Sequence, residues 1–129
     1  EYPRLYQTDG KNIPDTIPYP MDLVYSVNVF QHLSKTQRTS YYRQIFEVLK
    51  DDGMFIFGMF VMTDENKNWP CWSTKDVEGN YYCNFFRQLT KIDHINDLYK
   101  ELSDIGYSSI EQINPHSDKT HYLTFKVIK

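Results

Sequence analysis

Two apolar runs, DLVYSVNVF at residues 22–30 and MFIFGMFVM at residues 54–62, flank a mostly polar stretch in which Tyr42, Ile45, Phe46 and Leu49 recur at helical spacing. Neither run alternates strictly with polar residues. Such runs are expected of strands covered by helices on both faces, and a helix between them makes a right-handed crossover that leaves the strands parallel. Ser34, with Gln37 three residues on, is the sequence signature of a capping box at the start of that helix, and Gly53 is placed to stop it. Residues 1–20 carry Pro3, Pro14, Pro18 and Pro20 and read as an extended lead-in.

Beyond the second run, residues 63–89 show no periodicity. They contain Asn66, Asn68, Pro70, Gly79 and Asn80 among several aromatic residues. A loop of that length in a compact domain points to a functional segment, and Trp69, Trp72, Tyr81, Tyr82, Phe85 and Phe86 are candidates for a substrate cap or for packing. Ile92, Ile95, Leu98, Leu102 and Ile105 then define a second amphipathic helix, with Thr90 as its expected cap and Gly106 at its end. Strands are expected at 108–113 and 121–128, joined by NPHSD as an antiparallel pair. The order is that of an α/β domain.

The 129 residues fit one domain, and 40% apolar, 24% charged and 16% aromatic residues describe a folded globular chain. A net charge of −3 with interspersed signs offers no continuous basic surface, so no nucleic-acid partner is expected. The chain shows no apolar run of membrane-spanning length and no leader pattern, and is read as cytoplasmic, without a membrane partner. Cys71 and Cys83, twelve apart, suggest neither a disulfide framework nor a zinc site. His94, His116 and His121 are scattered without metal-ligand spacing, so no metal is expected.

Several segments together resemble the carboxyl-terminal half of the class I S-adenosylmethionine (SAM)-dependent methyltransferases. Asp22 in MDLVYSV resembles the acidic start of that family's fourth strand, and QHL its tail. EVLKDDGMFIF resembles the turn into the fifth strand, with Asp51 and Asp52 where the family favours Pro and Gly. IGYSSIEQI, with Gly106 and Tyr107, resembles the lead into the sixth. The resemblance implies a partial Rossmann-like sheet of strands 4, 5, 7 and 6, the seventh lying antiparallel between the fifth and sixth. It covers nearly the whole chain, residues 1–129, as a single domain. No strand followed by a Gly-rich G-x-G turn is present, nor an acidic residue closing a second strand, and these would hold the cofactor's methionine tail and ribose.

The resemblance implies SAM as cofactor, a small-molecule methyl acceptor, and an incomplete carboxyl-terminal half, inactive alone. The alternative is a methyltransferase-like scaffold or interaction module without catalysis. Ser26, Val27 and Asn28 would line half of the cofactor pocket at the end of the fourth strand. Asp9 and Gly10 resemble the pair that meets the adenine amine, and read equally as a plain turn. His32 stands where family members can place a general base, or it packs or caps the next helix. Without a first strand beside it, the strand 22–30 has a free apolar edge, and a homodimer through that edge is expected unless the lead-in folds back over it.

Overall fold

The computed structural model of the chain describes residues 3–69, 77, 81–85, 88–92, 94–114 and 122–129. Strand β1 (Met21–Val27) leads through a short 3-10 turn (Phe30–His32) into helix α1 (Lys35–Val48), then strand β2 (Leu49–Phe60). A two-stranded ribbon of β3 (Tyr81–Phe85) and β4 (Gln88–Ile92) precedes helix α2 (Ile95–Ile105) and strands β5 (Ser109–Gln112) and β6 (Tyr122–Ile128). The main sheet has the order β1-β2-β6-β5. β1 and β2 are parallel, and β6 runs antiparallel between β2 and β5. This is the order that the family resemblance implies; the helical crossover by itself accounts for the parallel pairing of β1 and β2, and the short connection for the antiparallel pairing of β5 and β6.

α1 begins as its sequence signature requires. Gln37 N–H donates to Ser34 Oγ (3.3 Å) and Ser34 N–H donates to Gln37 Oε1 (2.9 Å), satisfying two otherwise orphaned amides. Its end differs from expectation. The helix stops at Val48, and Gly53 lies inside β2 rather than at a helix cap. Residues 50–53 form an irregularity between the register pairs Met21–Leu49 and Leu23–Met54, with Asp52 at φ 63°. Gly53 is needed for space: a Cβ there would lie 2.8 Å from Lys50 O and 3.1 Å from Met21 O.

The start of α2 also differs. Thr90 and Ile92 belong to β4, and the cap is His94, whose Nδ1 accepts from Asn96 N–H (3.2 Å). A ribbon strand thus claims the residues that helical periodicity assigned to the helix. For the same reason residues 63–89 are not irregular throughout: Tyr81–Phe85 pairs with Gln88–Ile92. Trp72 and Phe86 lie outside the described residues, as do the turn at 115–118 and His121. Gly106, at φ 123°, ends α2 as expected, its N–H donating to Leu102 O and Ser103 O.

Both helices cover one face of the sheet. There Phe55, Phe57 and Met59 of β2 and Leu123, Phe125 and Val127 of β6 are buried against Tyr42 and Ile45 of α1 and Leu98 and Leu102 of α2. Phe30, from the turn after β1, stacks on Tyr42 (centroids 5.1 Å, 15° between planes) and meets Phe55 and Phe57. Tyr107, after α2, donates its buried hydroxyl to Tyr42 O (2.8 Å), and burial pushes its phenol far above the ordinary range. The opposite face carries Leu23, Tyr25 and Val27 from β1, at 43%, 75% and 62% exposure. β1 is therefore covered on one face, not two, and its apolar alternation is split between core and surface.

Candidate functional site

In a sheet of this kind, ligands bind beyond the carboxyl ends of parallel strands. Here those ends belong to β1 and β2, paired through Val27 and Gly58. β1 ends abruptly because Asn28 takes a left-handed conformation (φ 58°), which asparagine tolerates better than most residues. Its N–H donates to Tyr122 Oη (3.0 Å), from the start of β6, and its Oδ1 lies 3.4 Å from Gln31 Nε2. Tyr122 reaches that amide by lying across Gly58, where a Cβ would come within 2.3 Å of the hydroxyl.

The end of β2 is polar and buried. Asn66 is fully buried; it accepts from Thr63 N–H (2.8 Å) and donates to Val61 O (3.1 Å), closing the turn after the strand. Ile95 N–H donates to Met62 O (2.8 Å), tying the amino end of α2 to this turn. The His94 Nε2 lies 3.7 Å from Asp64. Among the described residues two buried polar atoms here have no hydrogen-bond partner, Gln31 Oε1 and Thr63 Oγ1.

Ser26, Val27 and Asn28 therefore stand together at the carboxyl end of β1, Ser26 half-buried towards the helix-covered face and Val27 exposed on the other. His32 is exposed at the end of the 3-10 turn on the same edge, and among the described residues no carboxylate pairs with it. Asp9 and Gly10 lie elsewhere. Asp9 Oδ1 accepts from Lys11 N–H (2.8 Å) and Asn12 N–H (2.7 Å), and Oδ2 from Asn12 Nδ2 (2.8 Å), around Gly10 at φ 75°. The lead-in is held to α1 by Gln44, which accepts from Ile13 N–H (2.7 Å) and donates to Lys11 O (3.1 Å). Between them is an open groove of about 670 Å³ lined by Thr8, Asp9, Asn12, Pro14, Gln44 and Glu47, among others, and by none of Ser26, Val27 and Asn28.

The backbone amides of Lys11 and Asn12 hold the Asp9 carboxyl below the usual carboxylate range. Because its folded value is depressed, the turn is fully held above the unfolded value of about 3.9 and is released as pH falls through the folded value. The Lys11 and Asn12 amide resonances are expected to titrate together with a midpoint below that of an ordinary aspartate. A midpoint at or above the ordinary value would show that the carboxylate does not hold the turn.

Sequence reasoning passed over Tyr122, Gln31, Thr63 and Asn66. The one available signal was Gly58, a lone glycine inside an apolar strand, which marks close approach by another group. Among the described residues no cluster of three His, Cys, Asp or Glu could hold a metal, and no helix is long and apolar enough to cross a membrane.

The sequence matches no family model and no curated protein. Solved structures do share its fold. The apo SAM-dependent methyltransferase SibL superposes with a TM-score of 0.67 at 16% identity, over 96% of this chain and 35% of its own. A SAM-dependent methyltransferase from Clostridium acetobutylicum gives 0.66 at 14%, over 98% of this chain and 65% of its own. The Burkholderia thailandensis 1,6-didemethyltoxoflavin-N1-methyltransferase, bound to 1,6-didemethyltoxoflavin and S-adenosylhomocysteine, gives 0.55 at 15%, over 85% and 44%. The chain spans about a third of the length of SibL. At such identities the likeness is one of fold: these residues form a partial class I SAM-dependent methyltransferase fold.

Proposed function

We propose that the chain contributes one side of the active cleft of a SAM-dependent methyltransferase acting on a small molecule, and is inactive by itself. The observation that carries this is the sheet order β1-β2-β6-β5, with β6 antiparallel and the carboxyl ends of β1 and β2 beside each other. The fit to SAM is one-sided. Val27 offers apolar contact, Asn28 a polar side chain and Gln31 an unpartnered acceptor, while the residues closing β1, Ser26–Asn28, include no carboxylate that could hold a ribose diol.

SAM, when bound, supplies the electrophilic methyl group. The chain's own part is to position: Ser26, Val27 and Asn28 line the cofactor side, whereas Asp9 and Gly10, in their turn beside α1, stand apart from that edge. His32 is placed to accept a proton from the methyl acceptor if that acceptor must lose one. Such transfer depends mainly on alignment of nucleophile, methyl and sulfur, so His32 is dispensable where the acceptor is already deprotonated.

Titration of the 129-residue chain with S-adenosylhomocysteine, followed by amide NMR, tests this reading. Weak binding, with Kd of about millimolar or above, is expected to move the resonances of Ser26, Val27 and Asn28 and to leave those of Asp9 and Gly10 in place. Absence of any response up to solubility would favour the second reading, a scaffold that keeps the sheet without the cofactor. The exposed row Leu23, Tyr25 and Val27 is the observation that supports that alternative, since such a surface suits a protein partner.

A further inference from the structure

We infer that Tyr122 is a positioning residue for the ligand-facing end of β1: its hydroxyl, carried across β2, fixes the amide of Asn28 and with it the geometry that Ser26, Val27 and Asn28 present. The positioning role rests on the cleft reading above. The contact itself does not, for it lies wholly within the described residues, between the first and third strands of the sheet.

Tyr122 starts β6 opposite Phe60 of β2, two residues beyond Gly58, and Gly58 is paired in turn with Val27 of β1. To meet Asn28 the side chain has to run back across β2, over two inter-strand spacings or about 9–10 Å. A phenol hydrogen-bonded at its tip covers that distance. Glycine at 58 leaves the path open, since a Cβ there would lie 2.3 Å from Tyr122 Oη and 2.6 Å from Cζ and Cε1. The backbone of Tyr122 is held from the other side. Asn114 Nδ2 donates to Tyr122 O (3.1 Å), and Thr124 N–H donates to Asn114 Oδ1 (2.7 Å). Asn114, Tyr122 and Asn28 thus form a brace across the sheet, from the chain after β5 to the end of β1.

What the brace holds is the residue whose conformation ends β1. Asn28 is left-handed (φ 58°) and lies just past the last β1–β2 pair, Val27–Gly58. Phe30, two residues on, is buried in the core, so the chain has to turn here. Core burial acts on the Phe30 ring, however, and leaves the Asn28 amide to Tyr122. Left-handed backbone is disfavoured for residues with a side chain, and a contact made in that conformation raises its population. A ligand meeting Ser26, Val27 and Asn28 then finds a strand end already in place. Its apparent affinity falls with the fraction of molecules in which that end is not formed.

Tyr122→Phe removes the acceptor and keeps the ring. The Asn28 amide is expected to lose about fivefold in hydrogen-exchange protection, the equilibrium equivalent of one ordinary hydrogen bond, and the folding equilibrium in urea to fall by no more than that. At a fixed, sub-saturating concentration of S-adenosylhomocysteine, the amide shifts induced at Ser26, Val27 and Asn28 should fall about two- to fivefold. Gly58→Ala, which pushes the ring off β2, should give the same loss of ligand response. The double variant should lose no more than either alone, since both changes act through one contact. If the parent chain responds to S-adenosylhomocysteine and Tyr122→Phe responds equally, the positioning role is overturned, even where stability has dropped. Unchanged exchange at Asn28 overturns the brace. A parent chain that does not respond removes the cleft reading and the positioning role with it, while exchange at Asn28 still decides whether the brace is formed.

Discussion

Phe57→Ala is expected to cost about 3–5 kcal/mol, a large share of the about 5–15 kcal/mol that domains of this size hold in total. The residue is fully buried at the centre of the sheet. Its ring stacks on Phe55 at 4.6 Å and meets Phe30, Tyr42 and Phe125 at 5.5, 5.7 and 5.3 Å. Four rings from β2, β6, α1 and the 3-10 turn thus lose a common neighbour, and none can move into the space without leaving the others. Urea denaturation followed by far-ultraviolet circular dichroism measures the loss. A cost below about 1.5 kcal/mol would mean that the aromatic cluster repacks freely, contrary to the close packing of interiors.

Gly58→Ala should cost about 1–3 kcal/mol by overpacking, and its sign should reverse when Tyr122 is removed. The added methyl would lie 2.3 Å from the tyrosine hydroxyl and 2.6 Å from two ring carbons, so the ring must swing off β2. It then gives up the hydrogen bond from Asn28 N–H and its edge-on contact with Phe60 at 5.4 Å. In a Tyr122→Ala background the space is open, and a glycine-to-alanine change in a strand stabilises by about 0.4–1 kcal/mol through the unfolded chain. The double-mutant cycle therefore carries the test. Additive effects would show that Tyr122 does not rest on Gly58.

The layout of the fold was legible because its signals are local. The apolar runs, the Ser34–Gln37 box and Gly106 each act through neighbours within a few residues, and a helical crossover makes β1 and β2 parallel, while the place of β6 between β2 and β5 came from the family resemblance alone. What was misread depended on contacts distant in the chain. Gly53 reads as a helix stop, yet it is glycine because Met21 O and Lys50 O crowd it. Thr90 reads as a cap, but pairing with Cys83 draws it into the ribbon. For the site, the end of β1 could be placed from the sequence. Tyr122, which fixes Asn28 from 94 residues away, could not.

The uncovered row on β1 bears on how the folded state is recognised. Leu23, Tyr25 and Val27 offer a dye such as ANS an apolar surface in the fully packed protein. Dye fluorescence, commonly taken as the mark of a molten globule, would then already be present in the native protein and would not by itself report loss of packing. The signals to follow instead are those of fixed aromatic packing, near-ultraviolet circular dichroism above all, for which Phe30, Tyr42, Phe55 and Phe57 provide a rigid, coupled set of chromophores.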